Sequence, residues 1–343
     1  MTGNEQVVPI KMRNMPDKYI SDMVFADLPE VGPALLVTSW DCALYIYRRV
    51  VNPENKEQSI ELIKLIRNDS PLLCTCVVKD EIYVGTVTGE LLRYDQTHDC
   101  FVPAVGLSRS IATMGVCKLL PYQRVDGDYI ICVSWDGTIN VMDVKRRNLD
   151  VWVRAAVEEK VITADSDNNH LVIAITRQKV LLYDLPLSAG SISKVIVPTL
   201  KNQIRDIKLL PSKDGYVIST IDGRVAVEYF EERDQQKQFA FRCHRTTLSD
   251  VQLVYPVNTL SFIPGTVKLF TGGSDGSVTL WNLETKRKIK QFDKLTTLSV
   301  VKLIANDNTL YVGISDDSFK TVPVGSEGTE MALLPSSINI ISL

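Results

Sequence analysis

The sequence repeats one local pattern along its length: an apolar run, a tight polar turn and a second, alternating run. The seven instances are LLVTSWDCALYIY, IYVGTVTGELLRYD, IICVSWDGTINVMD, LVIAITRQKVLLYD, YVISTIDGRVAVEYF, LFTGGSDGSVTLWN and LYVGISDDSFKTVP. The residues that end the turns are Cys42, Gly89, Gly137, Gln178, Gly223, Gly276 and Asp317, separated by 47, 48, 41, 45, 53 and 41 residues. A period of this size indicates a repeat architecture, in which each unit buries its apolar face against its neighbours.

The period predicts an all-β fold, a seven-bladed β-propeller of WD40 repeats. A WD40 blade has four strands and a period of about 40–45 residues, and longer loops account for the excess. Val, Ile, Leu and Tyr are frequent in the runs, and Asp-Gly supplies the positive φ that a tight hairpin turn needs. No segment keeps a long helical period, so we expect few helices.

We expect residues 1-343 to form a single propeller, with blades at roughly 18-66, 71-103, 114-153, 160-198, 203-245, 257-292 and 298-343. Ring closure hides most strand edges and requires a strand from a chain end. Two segments qualify, VVPIK at 7–11 and INIISL at 338–343, and the sequence leaves open which contributes the outer strand. The repeats are degenerate, since only Trp281-Asn282 approximates the Trp-Asp signature and the usual Gly-His pair is absent.

Composition excludes several classes of function. The net charge of −3 argues against a general nucleic-acid surface, which usually needs a basic excess. No apolar run approaches the roughly 20 residues of a membrane span, and the N-terminus lacks the apolar core of a secretory signal. The seven scattered cysteines are expected to be free thiols in a reducing compartment.

No chemistry-bearing motif is evident. The three histidines form no zinc pattern with the cysteines, so we expect no metal and no cofactor. There is no nucleophile–base grouping and no phosphate-cradling glycine loop, so we expect no enzymatic activity.

Strand order places the informative residues on one face of the ring. With strands a to d running from the centre outwards, the b–c turn of each blade, the end of strand d and the start of the next strand a share that face. Two b–c turns carry a tryptophan, Trp40 in SWDC and Trp135 in SWDG. Each is either a cap over the blade or an exposed anchor, and tryptophan is enriched at interface hot spots. We favour the anchor, whereas Trp152 and Trp281 lie on strands and are expected in the core.

The fifth blade gathers arginines on the same face: Arg205 near the start of strand a, Arg224 after the turn, and Arg242 and Arg245 at the end of strand d. The planar guanidinium suits bidentate capture of carboxylate or phosphate. The alternative to ligand binding is that these arginines pair with the chain's own Asp and Glu. That alternative is favoured for a single arginine, whereas a cluster at one rim favours a binding role. The basic run TKRKIKQF at 285–292 is interpreted as a solvated outer strand.

The SWDG-type turns, STIDGRVAVEYF, FAFRCHR, YPVNTLSF and GGSDGSVTLWN resemble the small WD40 subunit of the spindle assembly checkpoint, the propeller of the budding-uninhibited-by-benzimidazole family. The resemblance covers nearly the whole chain and is most specific over 204–282. The pairing DGRVA…FRCHR is shared with a sister family, the messenger-RNA export propeller of nuclear pores.

This resemblance implies a mitotic adaptor at nuclear kinetochores, also present in the cytoplasm. It implies binding of acidic GLEBS segments of a checkpoint kinase and its pseudokinase or kinase-less relative, and of phosphorylated Met-Glu-Leu-Thr repeats of the outer kinetochore scaffold. By motif, Arg224 and Arg242 would clamp the phosphothreonine, and Trp40 would be an aromatic contact for the peptides. Trp135, Arg205 and Arg245 would hold the acidic segment. The export propeller, binding a nucleoporin segment, is the alternative.

Overall fold

The computed structural model describes residues 14–51, 58–106, 110–144, 149–187, 192–292, 295–306, 308–320 and 333–343. The first blade comprises β1 (Ile20–Leu28), β2 (Gly32–Ser39), β3 (Ala43–Val51) and β4 (Gln58–Arg67). The second comprises β5 (Leu72–Val78), β6 (Glu81–Thr86), β7 (Leu91–Asp95) and β8 (Cys100–Pro103). The third comprises β9 (Val116–Arg124), β10 (Gly127–Ser134), β11 (Thr138–Asp143) and β12 (Asp150–Ala156). The fourth comprises β13 (Val161–Ser166), β14 (His170–Ile175), β15 (Lys179–Asp184) and β16 (Lys194–Ile196).

The fifth blade comprises β17 (Ile204–Leu209), β18 (Gly215–Thr220), β19 (Arg224–Tyr229) and β20 (Phe239–Arg242). A hairpin of β21 (Arg245–Leu248) and β22 (Val251–Val254) follows. The sixth blade comprises β23 (Val257–Phe262), β24 (Lys268–Gly273), β25 (Val278–Asn282) and β26 (Arg287–Phe292). The seventh comprises β27 (Ser299–Asn306), β28 (Thr309–Ser315) and β29 (Ser337–Ser342). Every strand pairs antiparallel with its chain neighbour within its sheet.

The ring closes through the innermost strands, and the predicted all-β, seven-bladed propeller is confirmed. β1, β5, β9, β13, β17, β23 and β27 each contact the next, and β27 contacts β1. The apolar core lies between blades: each of seven clusters joins two neighbours, as where Tyr129 and Val141 of the third blade meet Leu171 and Ile173 of the fourth. Because each blade is buried against its neighbours, we expect no blade to be stable alone.

The turn positions taken from the repeat have the expected backbone, with one exception. Cys42, Gly89, Gly137, Gln178, Gly223 and Gly276 all have positive φ. At Gly137 glycine is needed twice over, because φ is 87° and a Cβ would collide with the carbonyl oxygen of Val157. Asp317 has no positive φ.

The seventh blade is the exception: the repeat pattern places the run SFKTVP in its third strand, which is wrong for the described residues Ser318–Lys320, and 321–323 lie outside the described residues. Ser318–Lys320 form a 3-10 helix, since the Asp316 carboxylate accepts the backbone N–H of Ser318 at 3.0 Å and ends the extended chain. The chain-end strand β29 pairs with β28 instead. INIISL is therefore the third strand of this blade, and VVPIK lies outside the described residues.

A buried histidine braces the sixth blade, although the sequence has no Gly-His pair there. The buried His244 bonds Asp275 Oδ1 through Nδ1 at 2.8 Å and Thr271 Oγ1 through Nε2 at 2.9 Å. Trp281 Nε1 donates to the same Thr271 Oγ1 at 3.1 Å. His244, which follows Cys243, thus braces the blade that carries the Trp-Asn pair.

Trp152 is not a core residue, contrary to expectation. Its side chain is 41% exposed on the outer strand β12, where the Arg124 guanidinium stacks on it at 4.7 Å from the ring centroid. An outer strand buries only one face, so its alternate side chains meet solvent. Trp281 is partly buried against the cluster between blades five and six.

No helix in the described ranges is long and apolar enough to cross a membrane.

Candidate functional site

The two b–c turns that carry tryptophan lie beside the start of the innermost strand of their own blade, and the Trp135 turn also lies beside the start of the next blade. Trp40 N–H donates to the Tyr19 carbonyl before β1 at 3.0 Å, and Trp135 N–H donates to Gly115 before β9 at 2.9 Å. Val161 N–H, at the start of β13, donates to the Trp135 carbonyl at 3.2 Å. One face therefore carries the turns, the ends of the outer strands and the starts of the inner strands. We call it the turn face.

Arg224 and Arg242 stand directly opposite each other on the turn face. They are register partners in the antiparallel pair of β19 and β20, so their side chains leave the same side of the sheet. The Arg224 side chain is 41% exposed, and Arg242 is exposed as well. Like charges directly opposite on neighbouring strands destabilise a sheet. Within the described residues no carboxylate lies within ion-pair distance of Arg242.

Asp222, at the turn of the fifth blade, contacts Arg224 and Arg245. Its Oδ2 lies 3.0 Å from Arg224 Nε, and its Oδ1 accepts the Thr220 hydroxyl at 2.6 Å. Contact through Nε leaves the two terminal nitrogens of Arg224 available for a ligand. Asp222 also offers its backbone carbonyl to Arg245 Nη2 at 2.8 Å. One turn thus contacts two arginines, and Arg242 stands opposite one of them on the neighbouring strand.

Arg245 begins the hairpin β21–β22 and borders a cavity at its base. Its Nη1 donates to Gln252 Oε1 across the hairpin at 3.1 Å, and its Nε is buried without a hydrogen-bond partner. The cavity has a volume of about 350 Å³ and is lined mainly by polar and cationic side chains, including those of Arg242, Arg245, Thr246, Tyr255 and Lys288. Lys288 belongs to the basic run of 285–292, which forms the outer strand β26 as predicted.

Arg205 lies at the inner end of the fifth blade. Its Nη2 donates to Asn258 Oδ1 at 3.1 Å, while its Nε is buried without a hydrogen-bond partner. Asn258 is fixed in turn by Ser274 Oγ at 2.9 Å and the Val300 carbonyl at 3.0 Å. The guanidinium is therefore held by an amide, and among the described residues no carboxylate lies within ion-pair distance of it.

The two turn tryptophans differ in exposure. Trp40 is 38% exposed at the tip of the first blade's turn. Trp135 is half-buried, with its ring against Gly115 and the Lys160 ammonium 5.3 Å from its centroid. Beneath Trp135, burial raises the pKa of Asp136, but hydrogen bonds from Thr113 and Thr138 outweigh it and hold that pKa well below its usual value. Asp136 is thus a brace for the turn, as expected of turn aspartates.

The structure brings some of the sequence-predicted residues together and keeps others apart. Arg224, Arg242 and Arg245 converge on the Asp222 turn. Trp40 belongs to the first blade, so the sixth and seventh lie between it and the arginines, and the fourth blade lies between Trp135 and the arginines. A ligand that reached all of them would have to extend across several blades of the turn face.

Sequence reasoning missed the residues that position the arginines. Asn258 and the positioning role of Asp222 depend on contacts between blades or across a turn, and Lys160 lies on a different blade from the Trp135 it covers. For Asp222 one signal was present in the sequence, which is that an aspartate recurs at the turn in most of the repeats. In the described part of the chain, no group of three or more His, Cys, Asp or Glu side chains could hold a metal ion.

Comparison with known proteins gives relatives over most of the chain. The mitotic checkpoint protein BUB3.1 of Arabidopsis thaliana is 30% identical over 319 residues, which is 90% of this chain and 87% of that protein. The mitotic checkpoint protein bub3 of Dictyostelium discoideum is 27% identical over 289 residues, 82% of each chain. The mRNA export factor GLE2 of Chaetomium thermophilum is 26% identical over 313 residues, 90% of this chain and 84% of that protein.

Solved structures support the fold. The WD40 β-propeller domain of Doa1 superimposes with a TM-score of 0.65 at 14% identity, covering 100% of this chain and 97% of that one. The WD40 repeats of RRP9 give 0.70 at 14% identity, covering 98% and 97%. At such identities the likeness concerns architecture alone. No protein-family model matches the chain.

Proposed function

The chain belongs to the Bub3 family of mitotic checkpoint propellers, and from this we propose that it is an adaptor that recruits checkpoint kinases to kinetochores. In this role it binds acidic GLEBS segments of the checkpoint kinase and of its pseudokinase or kinase-less relative. It also binds phosphorylated Met-Glu-Leu-Thr repeats of the kinetochore scaffold. It acts by binding, without catalysis, in the nucleus and at kinetochores.

The observation that carries the proposal is the cross-strand pair of Arg224 and Arg242. Two exposed guanidinium groups on one side of a sheet repel each other, and a phosphothreonine dianion between them would replace repulsion with charge-assisted hydrogen bonds. Asp222 holds Arg224 through Nε, which presents the terminal nitrogens to the ligand. In this proposal Trp40 contacts the peptide farther along the turn face.

The acidic segment is assigned to the remaining residues. Arg205 and Arg245 each have a buried Nε without a hydrogen-bond partner and no carboxylate at ion-pair distance within the described ranges. Carboxylates of an acidic segment would give each of these two arginines an ion-pair partner. Trp135 offers an aromatic surface on the third blade. The segment would therefore run over the turn face from the third blade to the hairpin.

The test is binding of a labelled Met-Glu-Leu-phosphoThr peptide and its unphosphorylated form, measured by fluorescence anisotropy. We expect the phosphate to strengthen binding at least about tenfold, since one charge-assisted hydrogen bond contributes roughly 1.5–3 kcal/mol. Arg224→Ala combined with Arg242→Ala should remove that difference. The matched control is Arg287→Ala, an exposed arginine at the start of β26 on the opposite face, which should bind as the parent does. Unchanged phosphopeptide affinity in the double variant would disprove the clamp.

A second candidate function has a specific basis, because the export factor GLE2 is also a relative at 26% identity. Under this alternative the same arginines would bind a nucleoporin segment. Affinity purification of the chain from cells distinguishes the two functions. Recovery of nucleoporins without checkpoint kinases would favour the export function over the checkpoint function. A net charge of −3 gives no support to direct RNA binding.

A further inference from the structure

The hairpin β21–β22 stands outside the seven blades. It forms a two-stranded sheet of its own, and among the described residues it pairs with no other strand. One side of the hairpin is held against the fifth blade: Arg245 Nη2 donates to the Asp222 carbonyl at 2.8 Å, and Val254 Cγ1 lies 3.0 Å from the position that a Cβ on Gly223 would take. Arg245 and Val254 are register partners, so this side faces the fifth-blade turn.

The opposite side of the hairpin is apolar and exposed. Leu248 and Val251 are register partners, and Leu253 lies two positions farther along, so strand alternation places all three on the side away from the fifth-blade turn. Their exposed fractions are 65%, 61% and 36%. None of the seven apolar clusters of the described residues includes them. A contiguous exposed apolar patch of this kind marks a contact surface for a partner.

The base of the hairpin forms one wall of the cavity of about 350 Å³. Thr246 and Tyr255 line this wall, while Lys288 and Gln291 of β26 line the wall on the sixth blade. Lys288 is the register partner of Trp281, whose ring packs against the cluster between blades five and six, so Lys288 projects toward the fifth blade and the hairpin. The hairpin and β26 therefore enclose a groove.

The sixth-blade wall of this groove is cationic. Four of the eight residues in the run 285–292 are basic. Within the described ranges no carboxylate lies within 4.0 Å of Lys286, Arg287 or Lys288. The Lys288 ammonium donates to Gln291 Oε1 at 3.1 Å, which leaves two of its three donors for a ligand. An aliphatic wall facing a cationic wall complements a segment that carries both aliphatic and acidic side chains.

We propose that this groove holds the continuation of the acidic partner segment, with an aliphatic side chain against Leu248 and Val251 and a carboxylate at Lys288. The inference rests on the proposed function, in which the segment reaches Arg245, the first residue of the hairpin. A second copy of the chain fits less well, because three aliphatic side chains are too few to supply the roughly 800 Å² per partner that a stable dimer buries.

The experiment titrates the full chain into a labelled acidic GLEBS segment of the checkpoint kinase and measures Kd by fluorescence anisotropy. Leu248→Ser combined with Val251→Ser should weaken binding at least about tenfold, because the apolar contact is lost. Lys288→Gln should weaken it about threefold, and only this second loss should vanish in about 0.5 M salt, which screens exposed charges. All three side chains are exposed, so both variants should keep the Tm of the parent.

Matched controls remove the same chemistry from the face opposite the turn face. Val125→Ser combined with Val151→Ser deletes two exposed aliphatic side chains of the third blade, and Lys268→Gln deletes an exposed charge at the start of β24. Both controls should bind the segment as the parent does. A control that weakened binding as much as its matched variant would overturn the assignment to the groove.

Arg245→Ala separates this inference from the proposed function. If Arg245→Ala weakens binding and the hairpin double variant binds as the parent does, the segment does not enter the groove and this inference alone fails. If both bind as the parent does, the proposed role of Arg245 fails as well. Sedimentation equilibrium tests the other occupant: a dimer of the parent that the hairpin double variant dissociates would assign the patch to a second copy and overturn the inference.

Discussion

The arginine pair of the fifth blade predicts a change that stabilises the fold while abolishing phosphopeptide binding. Replacing Arg242 with glutamate converts a cross-strand repulsion with Arg224 into an attraction. Register partners have Cβ atoms about 4.5–5.5 Å apart, so charges at roughly 6 Å interact by about 0.7 kcal/mol in water-like surroundings. Reversing the sign gives about twice that, and solvent screening with side-chain mobility reduces the expected gain to about 0.5–1 kcal/mol.

The assay is urea unfolding followed by tryptophan fluorescence, with Arg242→Gln as the neutral reference. The free energy of unfolding should rise from the parent to Arg242→Gln and again to Arg242→Glu. The spread should shrink in about 0.5 M salt, because exposed charges are screened. In parallel, Arg242→Glu should weaken phosphopeptide binding at least about 100-fold, since two charge-assisted hydrogen bonds are lost and a carboxylate faces the phosphate.

Two results would refute this reasoning. If Arg242→Glu is less stable than Arg242→Gln, then Arg242 is not repelled by Arg224, and no unsatisfied pair exists to attract a phosphate. If Arg242→Glu still binds the phosphopeptide, the phosphate is held elsewhere. If Arg242→Glu is more stable and no longer binds the phosphopeptide, then the positive charges of Arg224 and Arg242 destabilise the fold and are necessary for binding the phosphate.

Two further predictions concern the bracing of the blades and the turn tryptophans. Asp275→Ala should lower the free energy of unfolding by about 1–3 kcal/mol at pH 7, because it removes the hydrogen-bond partner of Nδ1 of the buried His244. Burial raises the pKa of Asp275, but bonds from His244 and Ser277 lower it below its usual value. The stability that the Asp275 carboxylate contributes is therefore present above about pH 4 and should be lost as the pH falls through its lowered pKa. If the difference in free energy of unfolding between the parent and Asp275→Ala persisted below that pKa, the assignment would be contradicted. Trp40→Ala should lower the free energy of unfolding by less than about 1 kcal/mol, and Trp135→Ala should lower it by about 2 kcal/mol or more, because only the Trp135 ring packs against Gly115 and Lys160. Losses of about 2 kcal/mol for both variants in denaturant unfolding would show that both tryptophans are caps.

Several features of the molecule could be predicted from local sequence. The repeat predicted the strands, the turns and the seven-bladed ring, because alternation and turn chemistry depend on residues a few positions apart. Positive φ at Gly137 and Gln178 follows from the same period. Strand order alone assigned Arg224, Arg242 and Arg245 to one face, and the structure brings them to one turn.

Other features were decided only by packing between distant segments. His244 braces Asp275 from 31 positions away, and β29 replaces the expected third strand of the last blade only because the chain end returns to β28. The facing of Arg224 and Arg242 depends on the register of two strands separated by a 3-10 helix. Local sequence determines the shape of each blade, whereas ring closure determines which side chains meet, because only closure brings residues of different blades within bonding distance.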